Sequence, residues 1–252
     1  MGTRLISACV LTVALLAGCG SDPAPPRSTP AAPIPAEQVR VTAPAFNADS
    51  AYAYIAQQVA FGPRVPNTAE HEACGDWLSS ELTRHGADVI EQPGLVRAYD
   101  GTILRIRNLI GQFRPENRER ILLFAHWDTR PFADKDTLRM REPIDGANDG
   151  GSGVGVLLEI ARLLGADSTL DVGVDIVFFD AEDYGTPEWG EKNQNSALTW
   201  CLGSQYWANQ PHRVGYNAKY GILLDMVGAK GAVFNKEGTS MAYAPSVVKR
   251  LW

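Results

Sequence analysis

Four short segments of this 252-residue chain carry side chains that could do chemistry. They are rich in carboxylates, and one also contains a histidine. The segments are His126-Trp127-Asp128, the turn around Asp149, Asp180-Ala181-Glu182-Asp183 and Asp225. Carboxylates gathered in one pocket repel one another, so a cation or a shared proton normally accompanies them. Carboxylates and histidine are ligands of divalent metals such as Zn²⁺, and a carboxylate left off the metal can act as a general base.

The surrounding sequence indicates that these segments meet at one edge of a sheet. Three of them directly follow continuous apolar runs, and the turn around Asp149 precedes a predicted helix that begins at Gly153. The runs are Ile121–Ala125, Val174–Phe179 and Gly221–Leu224. Such runs are typical of strands that are buried on both faces of a parallel sheet. In these sheets ligands bind outside the carboxyl ends of the strands, which is where the carboxylates lie.

The rest of the domain alternates between helix and strand patterns. This alternation predicts an α/β fold with a mostly parallel central sheet flanked by helices. Asn67 and Thr68 can cap a helix that continues to about Arg84. Further helices are predicted at Gly153–Leu164, at Ala197 to about Asn209 and from near Ala244, and further strands at Ala87–Ile90 and Ile103–Phe113.

The amino terminus predicts an exported, membrane-anchored protein. Residues 1–18 combine a basic residue with a short apolar run, which is typical of a secretory signal peptide. They end in Leu16-Ala17-Gly18-Cys19, which resembles the lipobox of bacterial lipoproteins and implies a lipid anchor on Cys19. The proline-rich residues 19–44 favour an extended tether, and the α/β domain spans residues 45–252. We therefore expect a periplasmic or cell-surface location.

Composition narrows the possible functions further. The formal net charge is −6, so no overall positive field attracts nucleic acid, and nucleic acid is not an expected partner. Four cysteines in a chain of this length exclude a disulfide-dense small scaffold. In an exported protein Cys74 and Cys201 can form a disulfide, or they can both remain buried thiols. The sequence leaves both alternatives open.

Five motifs resemble those of the bacterial glutaminyl cyclases, the glutaminyl-peptide cyclotransferases that share the fold of the zinc-dependent aminopeptidases. The motifs are His126–Pro131, Asp145–Gly153, Phe178–Asp183, Leu202–Trp207 and Leu223–Gly228. The resemblance extends from about Tyr52 to Trp252. It implies a zinc-aminopeptidase-like (phosphorylase/hydrolase-like) fold. It also implies an enzyme that cyclises the N-terminal glutamine of peptides or proteins to pyroglutamate and releases ammonia.

The same resemblance implies roles for individual residues. Asp149 and Asp183 match two ligands of a single zinc ion, and Glu182 matches the carboxylate that transfers protons. Asp225 matches a second carboxylate that serves catalysis in the cyclases. Trp189 matches an aromatic wall of the substrate pocket.

Two alternatives stay open beside the cyclase. A zinc aminopeptidase on the same fold would bind two zinc ions, with His126 and Asp225 as additional ligands and Glu182 as the base for a bridging water. A lipoprotein ectodomain without catalysis is the other alternative.

In the cyclases the third zinc ligand is a histidine well downstream of the Asp225 strand. We therefore expect that ligand beyond Trp252, and we expect that the 252-residue chain is incomplete at its C-terminus and inactive by itself.

Overall fold

A central sheet of five strands organises the part of the chain that the computed structural model describes, residues 43–252. The strands are β1 (Asp88–Arg97), β2 (Ile103–Phe113), β3 (Arg120–His126), β4 (Gly173–Phe179) and β5 (Gly221–Leu223). Their order in the sheet is β1-β2-β4-β3-β5. The α/β class with one central sheet is confirmed.

The pairing of the strands corrects one part of the prediction, that the sheet is mostly parallel. Strand β3 pairs in parallel with β4 and β5, and these are the three strands predicted from continuous apolar runs. The β1–β2 hairpin adds two antiparallel pairings, β1–β2 and β2–β4, so the sheet is mixed. The hairpin differs because β1 and the first half of β2 alternate between buried or half-buried and exposed side chains, as expected for antiparallel strands with one solvated face.

Six α-helices lie before, between and after the strands in residues 43–252. They are α1 (Ala48–Ala60), α2 (Ala69–Arg84), α3 (Gly151–Ala166), α4 (Leu202–Asn209), α5 (Gly238–Tyr243) and α6 (Pro245–Leu251). The predicted cap of α2 is present, since the Thr68 side chain accepts a hydrogen bond from the His71 amide. The helix predicted from Ala197 is instead a 3-10 turn at Ser196–Thr199 followed by α4. The two are separated because Cys201 adopts a left-handed conformation with φ of 56°.

Side chains of β4 alternate between two hydrophobic clusters, one on each face of the sheet, following the two-residue period of a strand. Ile176 and Phe178 pack in a cluster with residues of α2 and α3. Val177 and Phe179 pack in the other cluster, where the Trp207 ring of α4 contacts Phe179. The sheet is therefore covered by helices on both faces, which leaves its strand ends to form a site.

Within residues 43–252, no helix is both long enough and apolar enough to cross a bilayer. The predicted signal peptide (1–18) lies outside the described residues, and so does the predicted tether (19–44) apart from its last two residues. The lipidation of Cys19 and the resulting location therefore stay predictions.

Candidate active site

Four side chains converge where β3 and β4 end and where α3 begins. His126 is the last residue of β3, Glu182 and Asp183 follow β4, and Asp149 precedes α3. Each offers one ligand atom, and these atoms all lie within 4.8 Å of one another. Nε2 of His126 lies 3.0 Å from Oδ1 of Asp149 and 3.2 Å from Oε2 of Glu182. The structure thus brings together the two predicted zinc ligands and the predicted proton-transfer residue.

Asp225 completes this group from the neighbouring strand. It follows β5, whose parallel pairing with β3 places both carboxyl ends at the same edge of the sheet. Oδ1 of Asp225 lies 3.6 Å from Nε2 of His126. The loop that carries Asp149 approaches closely because Gly150 has a positive φ of 73° and no side chain. A Cβ atom there would lie 2.9 Å from Cε1 of His126.

The amides of the turn that carries Glu182 and Asp183 are held by two buried side chains. The carboxylate of Asp128 accepts the Glu182 amide at 2.9 Å and the Asp183 amide at 3.1 Å. The side-chain oxygen of Asn108 accepts the Asp180 amide at 3.0 Å. Because buried backbone groups need partners, these bonds fix the direction in which Glu182 and Asp183 project.

The carbonyls of the same turn are held by the start of α4. The amides of Cys201, Leu202 and Gly203 donate to the carbonyls of Glu182, Ala181 and Asp180 over distances of 2.9–3.0 Å. With this set of partners the turn accommodates Ala181 at a positive φ of 49°. The carboxylate of Glu182, the predicted proton-transfer residue, is therefore built on backbone that is bonded on both sides.

Asp180 connects this turn to helix α2. Its carboxylate is fully buried and lies 2.9 Å from Nε2 of His71, and it accepts the Arg107 amide at 2.6 Å. The His71 ring stacks on Trp127, with 4.2 Å between the ring centroids. These contacts tie the end of β4 to α2, β2 and the residue that follows His126.

The chemistry of the donor set fits a divalent cation. Oδ2 of Asp183 and Nδ1 of His126 are buried, and neither has a hydrogen-bond partner within residues 43–252. Burial, with the negative charges of Asp128 and Asp149, raises the pKa of Asp183 to about 8. Burial also raises the pKa of Glu182 above its usual value. A zinc ion ligated by Asp149 and Asp183 would use the free oxygen and offset this repulsion.

His126 lies among carboxylates that favour its protonated form. Burial tends to lower its pKa, but the neighbouring carboxylates of Asp128, Asp149 and Asp225 together raise that pKa well above the usual value. The imidazole therefore faces carboxylates on several sides. Its function as a ligand in a two-metal site stays a prediction.

A cleft of about 620 Å³ opens over the predicted zinc ligands and is large enough for a small-molecule or peptide group. Asp149, Asp183, Phe132 and Trp200 are among the residues that line it. Trp189 packs edge to face against Phe132, with 5.4 Å between the ring centroids, and is 39% exposed. Trp189 therefore lies at the rim of the cleft, and its contact with substrate stays a prediction.

The two cysteines of the domain do not form a disulfide in the structure. Cys74 is buried in the core cluster that contains residues of α2 and α3. Cys201 lies at the site, where its thiol is 3.5 Å from Oε1 of Glu182. Burial raises the pKa of Cys201 to about 12, so the thiol stays protonated and donates a hydrogen bond to Oε1 of Glu182. Of the two alternatives, the structure has free thiols.

Several residues that shape the site have no role in the sequence-based prediction. In the sequence, Asp128 stands out only as part of the His126 motif. No sequence pattern assigns Asn108, His71 or Cys201 to the site. Each acts through a contact between segments that are far apart in the chain. An apolar strand that contains an asparagine is the one feature that could have indicated Asn108.

Comparisons with known proteins point to the same region of the chain. Residues 108–252 match the model of peptidase family M28. A glutaminyl cyclase of Tannerella forsythia is 59% identical, with a TM-score of 0.79, over 83% of this chain and 72% of that chain. A Zn-dependent exopeptidase of Parabacteroides distasonis is also 59% identical, with a TM-score of 0.80, over 83% of this chain and 71% of that chain.

A more distant similarity comes from fungi. A probable zinc metalloprotease of Leptosphaeria maculans is 26% identical over 148 residues, which are 52% of this chain and 34% of that protein. The chain thus spans about a third of the length of the curated relatives that it matches. The family match over residues 108–252 includes the segments that carry His126, Asp149, Glu182 and Asp183.

Proposed function

The chain belongs to peptidase family M28, and we propose that it is a zinc-dependent glutaminyl cyclase that converts N-terminal glutamine to pyroglutamate. The observation that carries this proposal is the convergence of Asp149, Glu182 and Asp183 in a domain 59% identical to a glutaminyl cyclase. The substrates are peptides or proteins that begin with glutamine. Nothing in this chemistry consumes a further reagent, because ring closure only expels ammonia.

Asp149 and Asp183 are the residues that would hold zinc. The ion would supply Lewis acidity toward the γ-carboxamide of the substrate glutamine. The α-amine attacks the carboxamide carbon, a carbon–nitrogen bond closes the five-membered ring, and the bond to the amide nitrogen breaks. Glu182 accepts the proton from the α-amine and delivers it to the departing nitrogen, which leaves as ammonia.

The environment of Glu182 suits this transfer. Its raised pKa brings the carboxylate closer to the range in which it can both take and return a proton. Asp225 and Glu182 both lie close to Nε2 of His126. Asp225 can therefore orient the substrate α-amine from which Glu182 accepts the proton. The hydrogen bonds to the backbone of the turn keep the Glu182 side chain beside the predicted zinc ligands during the proton transfer.

A specific observation favours a second candidate, a zinc aminopeptidase. His126 lies in the same cluster as Asp149, Glu182 and Asp183, and Asp225 is next to it. A second metal ion held by His126 and Asp225 would convert this arrangement into a two-metal site, with Glu182 as the base for water. The similarity to a Zn-dependent exopeptidase at 59% identity supports this alternative as well.

Zinc stoichiometry separates these candidates, and one variant tests the role of Glu182. Protein that contains the histidine expected as the third ligand, when it is loaded with zinc and passed through a desalting column, should retain one zinc ion per chain if it is a cyclase, and two if it is an aminopeptidase. Glu182→Gln should abolish ammonia release from a glutamine-initiated peptide while it retains bound zinc. Full ammonia release by that variant would refute the assignment of Glu182 as the proton carrier. Two zinc ions per chain, with cleavage of amino-acid anilides, would replace the cyclase by the peptidase.

We also propose that the domain is exported and held at a membrane through lipid on Cys19. The support is the Leu16–Cys19 motif and the proline-rich segment that follows it. Expressed in a bacterium, the full chain should fractionate with membranes, and the Cys19→Ser variant should fractionate with soluble proteins. Membrane association that persists in the variant would contradict the proposal.

A further inference from the structure

An ion pair next to the cluster joins three segments of the cleft. Arg130 is 8% exposed, and its guanidinium pairs with the carboxylate of Asp134 through both Nε and Nη2. The remaining nitrogen, Nη1, donates to the backbone carbonyl of Asp183 at 2.9 Å. One side chain thus contacts the carboxylate of a cleft loop and the backbone of a predicted zinc ligand.

Trp200 is the third contact of Arg130. The guanidinium carbon lies 4.5 Å from the centre of the Trp200 ring. The same ring packs against Gly185, where a Cβ atom would lie 2.1 Å from the ring carbons. Trp200 directly precedes Cys201, whose amide holds the Glu182 carbonyl. Trp200 therefore packs against Gly185, which follows Glu182 and Asp183, and it is adjacent to Cys201, which bonds the Glu182 carbonyl.

Asp134 carries the connection to the rim of the cleft. Its Oδ2 atom accepts the Glu188 amide at 3.0 Å. Glu188 is followed by Trp189, which packs against Phe132. The Arg130 hydrogen bond, with this backbone amide, holds the pKa of Asp134 below its usual value, so Asp134 is ionised when it accepts these bonds.

We propose that Arg130 is a positioning residue that couples the predicted zinc ligand Asp183 to the aromatic rim at Trp189. Through its ion pair with Asp134, Arg130 links the Asp183 carbonyl to the Glu188 amide, next to Trp189. This inference rests on the proposed function for its effect on turnover, but its structural content does not depend on which reaction the site performs. A lysine cannot replace Arg130, because an ammonium group lacks the planar fork that serves Asp134 and the Asp183 carbonyl together.

Amide hydrogen exchange of the zinc-loaded protein tests the coupling without an activity assay. In Arg130→Lys we expect exchange to accelerate about tenfold or more in two segments at once, residues 184–190 and 199–202. Exchange in β4 should stay unchanged. Arg105→Lys is the matched control, since Arg105 forms an ion pair with Glu72 in which both side chains are more than half exposed. The control should exchange like the wild type throughout.

Asp134→Asn provides a second variant in case Arg130→Lys does not fold. One amide oxygen cannot accept from Nε, Nη2 and the Glu188 amide together, but Arg130 can still reach the Asp183 carbonyl. We therefore expect faster exchange in residues 184–190 alone. In peptide assays this variant should raise KM by about tenfold with little change in kcat, whereas Arg130→Lys should raise KM and lower kcat.

Two results would overturn the proposal. One is unchanged exchange in residues 184–190 in both variants. The other is equal acceleration in β4 and in the cleft segments, since that pattern indicates a global loss of stability. If the wild type releases no ammonia, the proposed function fails, and the exchange data still decide whether Arg130 couples the two segments.

Discussion

Replacement of Asp128 by asparagine removes one charge from the site and changes almost nothing in size. The wild-type carboxylate is buried and accepts the amides of Glu182 and Asp183 at 2.9 and 3.1 Å. Its Oδ1 atom also lies 3.5 Å from Nδ1 of His126. Asparagine has one oxygen for these contacts, and its NH₂ group must face an amide donor.

The expected loss of activity can be estimated from those contacts. Hydrogen bonds to a charged group contribute about 1.5–3 kcal/mol each, and one of the two is lost outright. The other becomes a neutral hydrogen bond, which is about half as strong. A total of about 2–4 kcal/mol of positioning energy corresponds to a loss of roughly 30-fold to 1000-fold in kcat/KM. Zinc affinity should fall by about 10–100-fold, as expected for a partner that orients metal ligands.

The assay is ammonia release from a glutamine-initiated peptide at saturating zinc, together with zinc content after dialysis. Asp88→Asn serves as the control, since Asp88 is exposed at the start of β1 and should leave both quantities unchanged. An Asp128→Asn variant with kcat/KM within about threefold of wild type would refute the reasoning, because the turn would then keep its geometry without the carboxylate.

Three further predictions concern stability. Asp175→Asn leaves Arg120 buried without its partner and should lower the free energy of unfolding by about 3–5 kcal/mol in urea titrations. Burial acts to raise the pKa of Asp175, but Arg120 and other donors keep it below the usual value, so wild-type stability is present above about pH 4 and lost as the pH falls further, a slope that the variant should lack. Gly153→Ala places a Cβ atom 2.0 Å from the Leu224 carbonyl and should cost about 1–3 kcal/mol or more, whereas Gly238→Ala, with nothing within 4 Å, should be neutral by thermal melting. Chelation should lower the melting temperature and added zinc should restore it, with about 2.7 kcal/mol regained at a free zinc concentration 100 times Kd; equal melting curves would contradict a zinc site in the folded protein.

The fold and the site differ in how much of each follows from the sequence. Strand ends such as Asp183 and Asp225 could be placed because apolar runs mark buried strands and parallel strands share one carboxyl edge. The partners of the turn could not, because Asn108 meets Asp180 across 72 residues and no local pattern records that contact. The separation of the 3-10 turn from α4 also depends on a contact between segments that are distant in the chain. Cys201 is not a glycine, and its left-handed conformation accompanies a bond from its amide to the Glu182 carbonyl.

The measurement that tests the central claim most directly is the mass of a glutamine-initiated peptide after incubation with zinc-loaded protein that contains the histidine expected as the third ligand. A cyclase should convert the peptide to a product lighter by one ammonia, with the chain length intact and the N-terminus blocked. Glu182→Gln should leave the mass unchanged. Loss of the whole N-terminal residue, with no product that has lost only ammonia, would contradict the cyclase and identify the site as that of an aminopeptidase.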